Sequence, residues 1–195
     1  MRSFKETLQE SSLSRIKDKV SKYSCGAITA FRGEFTKAQN KARNKELLAA
    51  LKAKKYSITK VKGSYIENFG SESQKEVGEE TWFVCNEMVE GDDKGKLESD
   101  LKQLGKKYDQ DSILSIRNGK ASLIGTSKRD NAFPSFGETV AVGTGKFGKK
   151  SGEFFSRVGG REFAFESVEP DSIMGKWGMK LVGKTIWEDI DNEII

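Results

Sequence analysis

The sequence predicts an α+β protein: a mixed, mostly antiparallel sheet with packed helices, extended at its C-terminal end by a glycine-rich β-hairpin. Three observations predict it. Apolar residues alternate between helical spacing and short β-branched or aromatic runs, in the order helix, strand, helix, strand, strand, helix, strand, strand. Asn118-Gly119, a pair that tolerates positive φ, separates two of those runs as a tight hairpin turn would. Beyond residue 138 the chain turns rich in glycine, and Gly159-Gly160 is bracketed by two more strand-like runs.

The elements follow in order. Leu13, Ile16 and Val20, with Phe4 and Leu8 before them, mark an amphipathic helix over residues 4–22. Residues 24–31 have strand character, which Arg32-Gly33-Glu34 breaks. Thr36 is placed to cap a helix running to about Lys54, with Leu47, Leu48 and Leu51 as its buried stripe. Tyr56 to Glu67 reads as a strand interrupted near Gly63, and Phe69 to Gly78 as a polar loop. Thr81 to Cys85 is a continuous apolar run, expected of a central strand covered on both faces. Gly91 to Gly95 forms a turn, and Leu97, Leu101, Leu104 and Tyr108 step at helical spacing. Ser112 to Ile116 and Ala121 to Gly125 are the arms of the Asn118-Gly119 hairpin. The expected division is an N-terminal amphipathic helix (1–23), an α+β core domain (24–126), a connector (127–138) and a glycine-rich β extension whose C-terminus docks (139–195). Trp177, Trp187, Ile190, Ile194 and Ile195 are the reason to expect docking there.

Composition narrows the chemistry. The 195 residues are 35% apolar and 32% charged, with a net charge of +5, which allows a nucleic-acid partner without requiring one. No apolar run approaches the roughly 18 residues that cross a bilayer, and nothing hydrophobic follows the first charged residues as in a secretory signal. No membrane partner is expected, and the expected location is a cytosol or the inside of a particle. Cys25 and Cys85 sit in apolar runs and read as reduced core residues. Histidine is absent, which removes Ser-His and Cys-His nucleophile pairs, imidazole bases and His-containing zinc sites. A carboxylate-bound Mg²⁺ and a Lys/Glu acid–base pair remain open. The expectation is no cofactor, no metal and no catalytic residue.

Four motifs stand out. Gly143 to Ser151 nearly spells a phosphate-cradling loop, but Lys150 stands where a Mg²⁺-binding hydroxyl is needed, and no helix follows. It reads as a flexible basic loop. A basic surface is the second: Lys52, Lys54 and Lys55, with Lys146, Lys149, Lys150 and Arg157 interleaved with phenylalanines. A solvated helix face is the plainer reading of the same residues. The third is a polar group, Arg32, Asn40, Arg43, Asn44, Glu67, Glu80, Gln110 and Ser112, of which Arg32, Glu80 and Gln110 sit near expected strand ends, where sites on open sheets form. Asn40 and Asn44 share a helix face, and the plainer reading has them bonding to loop backbone. The fourth, Glu188, Asp189, Asp191 and Glu193, reads as a solvated end or a partner for the basic face.

Several of these segments carry a resemblance. Residues 28–31, Asn40, Arg43-Asn44, Leu47, Leu51, then 63–67, 80–84 and 110–114 resemble a family of small uncharacterised proteins of tailed bacteriophages, related to a bacterial domain of unknown function. The likeness spans roughly residues 24–126. It implies an origin and a fold, with no activity attached. The opening Ser3-Phe4-Lys5-Glu6-Thr7-Leu8-Gln9-Glu10 is similar to the leaders of phage virion proteins, and an ordinary amphipathic helix fits it as well.

From these features the expected function is a phage-encoded, non-enzymatic binding protein. It would be virion-associated, packaged and delivered with the genome, or else engage a host factor, with a protein as its main partner. One alternative is an enzyme acting on a nucleotide or nucleic acid through the polar group. A second is a DNA-binding accessory protein. The sequence does not set the oligomeric state.

Overall fold

In the computed structural model, residues 15–67, 75–130, 132–144, 147–148, 154–158 and 161–165 are described, with side chains for 15–62, 80–130 and 132–143. Three helices form where the spacing predicts them: α1 (residues 15–22), α2 (Lys37–Ala53) and α3 (Lys96–Lys107). The first half of the predicted N-terminal helix lies outside the described residues. Thr36 starts α2 through a capping box: its hydroxyl accepts from Gln39 N–H, and Gln39 Oε1 accepts from Thr36 N–H at 2.9 Å. The start of α3 is held from two residues outside the helix. Asp93 accepts from Gly95 N–H (3.1 Å) and Leu97 N–H (2.9 Å), and Asn86 and Ser24 fix Asp93 in turn.

Among the described residues, nine strands make the sheet: β1 (Cys25–Ile28), β2 (Ser57–Glu67), β3 (Lys75–Cys85), β4 (Ser112–Arg117), β5 (Lys120–Gly125), β6 (Thr139–Thr144), β7 (Phe147–Gly148), β8 (Phe154–Val158) and β9 (Arg161–Phe165). Their order is β6-β5-β4-β1-β3-β2-β8-β9-β7, and every pairing is antiparallel. The α+β class, the β4–β5 hairpin and the glycine-rich β8–β9 hairpin are as predicted. Asn118 and Gly119 carry the positive φ values (50° and 70°) that the β4–β5 turn requires.

Two local readings change. Residues 75–78, expected in a loop, belong to β3, and Gly63 does not interrupt β2, because one continuous ladder runs from Ser57↔Cys85 to Glu67↔Lys75. Backbone pairing along a long hairpin overrides the weak strand propensity of glycine and glutamate. The cysteines are not reduced either. Cys25 and Cys85 lie directly opposite each other on β1 and β3 and form a buried disulfide.

The layers follow from strand alternation. On one face, Leu47 and Leu51 of α2 and Leu97, Leu101 and Leu104 of α3 pack on Ile28, Trp82, Val84, Ile113 and Ile124. Each fully buried Leu or Ile contributes about 1.5–3 kcal/mol. Gly26 permits this approach, since a Cβ there would stand 2.5 Å from both Leu101 Cδ1 and Leu114 O. On the other face, Ile16 and Val20 of α1 pack on Cys25, Val61, Phe83, Cys85 and Ile116, with Val142 of β6 alongside. β3 is thus covered on both faces, as its apolar run predicts. The two outermost strands, β6 and β7, are consecutive in the chain with only two residues between them. Three peptide steps reach about 11 Å, so the sheet bends until its ends meet, and β6 lies beside β9.

Candidate active site where β3 outruns β1

β1 ends at Ile28, opposite Trp82, but β3 continues to Lys75 with β2 as its partner on one side. The chain after Ile28 swings out as a loop (residues 29–36) and enters α2. The side of β3 that β1 no longer covers is therefore lined by this loop and by α2. Asn44, with no exposure, is the centre of the junction. Its Oδ1 accepts from Ala30 N–H at 3.1 Å, and its Nδ2 donates to Glu80 O at 3.0 Å and to Glu80 Oε1 at 3.4 Å. Thr29 Oγ1 donates to the same Glu80 carbonyl, and Trp82 Nε1 donates to Asn44 O.

Four more of the predicted polar group, Arg32, Asn40, Arg43 and Gln110, hold the loop. Asn40 accepts from Arg32 N–H and donates to Arg32 O and Phe35 O. Arg43 lies over the Phe35 ring and donates to Ala30 O and Tyr108 O. Gln110 donates to Phe31 O and Tyr108 O. Arg32 bonds Asp111 and Glu34, and Arg129 ties Glu34 to Asp109. Burial opposes the charge of the Arg32 guanidinium, but bonding and attraction to Asp111 and Glu34 prevail, so its pKa lies above the ordinary value. The clasp of Glu34, Asp109, Asp111 and Arg129 carries no local sequence signal, since its members come from three separate loops.

The chemistry left accessible is the Glu80 carboxylate, whose side chain is 28% exposed. Lys60 pairs with it, and the Lys60 ammonium lies 6.0 Å from the Trp82 ring centroid. In the sequence Lys60 falls in the run from Tyr56 to Glu67 and Trp82 in the apolar run from Thr81 to Cys85. Only the register Lys60↔Trp82 brings them together. Of the other predicted site residues, Ser112 opens β4 beside Asp111. Glu67 ends β2, five residues beyond the Lys62↔Glu80 pair, about 16 Å along the strand.

The predicted basic surface is spread out. Lys52 and Lys55 are exposed at the end of α2, and Lys54 pairs with Asp100. Arg157 on β8 stands in register with Lys62, about 16 Å of strand from Ser57. Lys146, Lys149, Lys150 and the acidic C-terminal residues lie outside the described residues.

A second polar cluster, unforeseen from the sequence, ties α2 to α3. Asp100 accepts from Tyr56 Oη (2.5 Å), Lys54 (2.9 Å) and Lys96 (3.1 Å). Burial pushes Asp100 toward the neutral form, but the three donors prevail and hold it below its ordinary 3.8. Burial, then the bond to Asp100, raises Tyr56 above its ordinary 10.0. Asp100 therefore contributes stability that is complete above its unfolded value and is lost as pH falls through the lower folded one. Tyr56 contributes stability that is complete below its unfolded value and is lost as pH rises through the higher folded one. Tyr56→Phe should cost about 1.5–3 kcal/mol at neutral pH. In denaturant titrations across pH, the alkaline loss should disappear from the variant. A wild-type stability flat above pH 10 would contradict this reading.

A family model described as the S-adenosylmethionine lyase family matches residues 26–188. No curated protein matches the chain. The match overturns the expectation of a non-enzymatic, virion-associated or host-binding protein and favours the enzyme class of the first alternative, whose expected substrate was a nucleotide or nucleic acid. Absent histidine removes imidazole chemistry and leaves other routes to bond breaking open.

Proposed function

The chain belongs to the S-adenosylmethionine lyase family, and on that premise we propose that it is an enzyme breaking a carbon–sulfur bond of S-adenosylmethionine without water. The observation that carries the reading is the family match, which begins within β1 and runs past β9. The chemistry agrees with the composition. The sulfur of this substrate is a sulfonium cation, so it leaves as a neutral thioether. Such a leaving group needs no proton and hence no general acid behind it. A chain without histidine can carry out the reaction by holding the sulfonium beside negative charge and by orienting the substrate's own carboxylate at the carbon that leaves sulfur, so that a C–O bond forms as the C–S bond breaks and no proton moves. Glu80, half-covered at the uncovered side of β3, is the described carboxylate placed to do this. The network on Asn40, Arg43, Asn44 and Gln110 fixes the loop beside it.

The test is incubation of purified protein with S-adenosylmethionine labelled on the methyl group and no acceptor. The label should appear in a small neutral thioether. At substrate well below saturation, Glu80→Gln should slow that release at least tenfold, as about 1.4 kcal/mol of lost attraction to the sulfonium would. Substrate that is stable over the no-enzyme blank, or a label that moves only when an acceptor is supplied, would remove the lyase reading.

A further inference from the structure

Lys60 occupies a place built for a cation. The Glu80 carboxylate pairs with its ammonium, and the centroid of the Trp82 ring, two residues along the same strand, lies 6.0 Å from it. Neither wall is free to move off. Asn44 Nδ2 holds the Glu80 backbone and carboxylate from the α2 side, and Trp82 Nε1 is fixed on the Asn44 carbonyl. Trp82 is buried, whereas the Lys60 side chain is 59% exposed on a flexible stem and can swing into water. The walls are thus rigid and the occupant is not.

A carboxylate beside an aromatic ring suits a sulfonium better than an ammonium. A sulfonium bears three carbons and no N–H donor, so it is weakly hydrated and gives up little solvation on a ring face. A lysine ammonium is a compact, strongly hydrated charge that water competes for well. We propose that Lys60 is an internal stand-in for the substrate's sulfonium, and that S-adenosylmethionine binds by displacing it from the Glu80–Trp82 seat. The proposal rests on the lyase reading above and adds a competition within the site. Lys60 lowers apparent affinity by holding the seat when substrate is absent, and it returns when the neutral thioether product forms. Product that has lost its positive charge has no claim on the seat, so Lys60 also favours its release.

Lys60→Met keeps the aliphatic stem and removes the ammonium. Its KM for S-adenosylmethionine should fall two- to fivefold, the range of an exposed ion pair. Lys52→Met, exposed on α2 with the same change of charge, should leave KM where it is. Affinity for S-adenosylhomocysteine, a thioether without the cation, should rise less in Lys60→Met than affinity for the substrate. An unchanged or raised KM in folded, active Lys60→Met overturns the proposal. So does an equal fall in KM in Lys52→Met. If wild-type protein consumes no S-adenosylmethionine, the lyase reading fails, and titration with trimethylsulfonium followed by NMR still decides the seat. Tighter binding of that ion to Lys60→Met than to wild type supports the seat, and equal binding overturns it.

Discussion

Asn44→Ala should lower the unfolding free energy by about 2–4 kcal/mol, the sum of an orphaned buried donor and a small cavity. In a domain of this size the melting midpoint should drop by about 5–15 °C. The buried Ala30 N–H loses its acceptor, whereas the Glu80 carbonyl keeps Thr29 as a donor. Asn44→Asp separates the two halves of the amide. It restores an acceptor for Ala30 N–H but sets a negative charge against the carbonyl and carboxylate of Glu80. At neutral pH it should therefore be at least as unstable as Asn44→Ala, and the gap should close as pH is lowered and the new carboxyl is protonated. Calorimetry at two pH values checks both statements. A midpoint for Asn44→Ala within 2 °C of wild type would mean that the junction does not depend on this amide.

Gly125→Ala should cost about 3 kcal/mol, the upper range for forcing atoms into a filled space. A Cβ at Gly125 would stand 2.1 Å from Ser135 O and 2.4 Å from Pro134 O. Both are backbone atoms, so no side chain can turn aside. The connector is also bonded to this residue, Gly125 N–H to Glu138 O at 2.9 Å and Gly137 N–H to Gly125 O at 3.1 Å. The loop must lift off to admit a methyl group. Denaturant unfolding should show the lost stability, and limited proteolysis should cut between residues 127 and 138 sooner than in wild type. Gly33→Ala, with nothing within 4 Å, should change stability by less than about 0.5 kcal/mol. Equal stability of Gly125→Ala and Gly33→Ala would refute the packing of the connector on β5.

What could be read from the chain alone was whatever a short window encodes. Leu47 and Leu51, or Leu97, Leu101 and Leu104, announce a buried helix face by spacing. Thr36 announces its own cap, and Asn118-Gly119 its own turn. The α+β class follows from such windows. Lys75 to Gly78 looked like loop because charge and glycine disfavour an isolated strand, and only the partner β2 makes them one. The disulfide and the Lys60, Glu80, Trp82 group depend on register between segments about twenty to sixty residues apart, which no window contains. Asn40 and Asn44 were visible as a pair on one face. Their partners, the carbonyls and amides of the 29–36 loop, were not. The enzyme reading stood second to a binding protein for a chemical reason. Searching for acids, bases and nucleophiles finds sites that activate poor leaving groups, and a sulfonium is already a good one.

Because β6 and β7 are joined through two residues, the ribbon they bound is tethered rim to rim. Exposed strand rims are where separate molecules add to one another and grow into aggregates. Here the short link brings the two rims together, with β9 beside β6, so a neighbouring chain adding to β6 would have to fit against the other end of the same sheet.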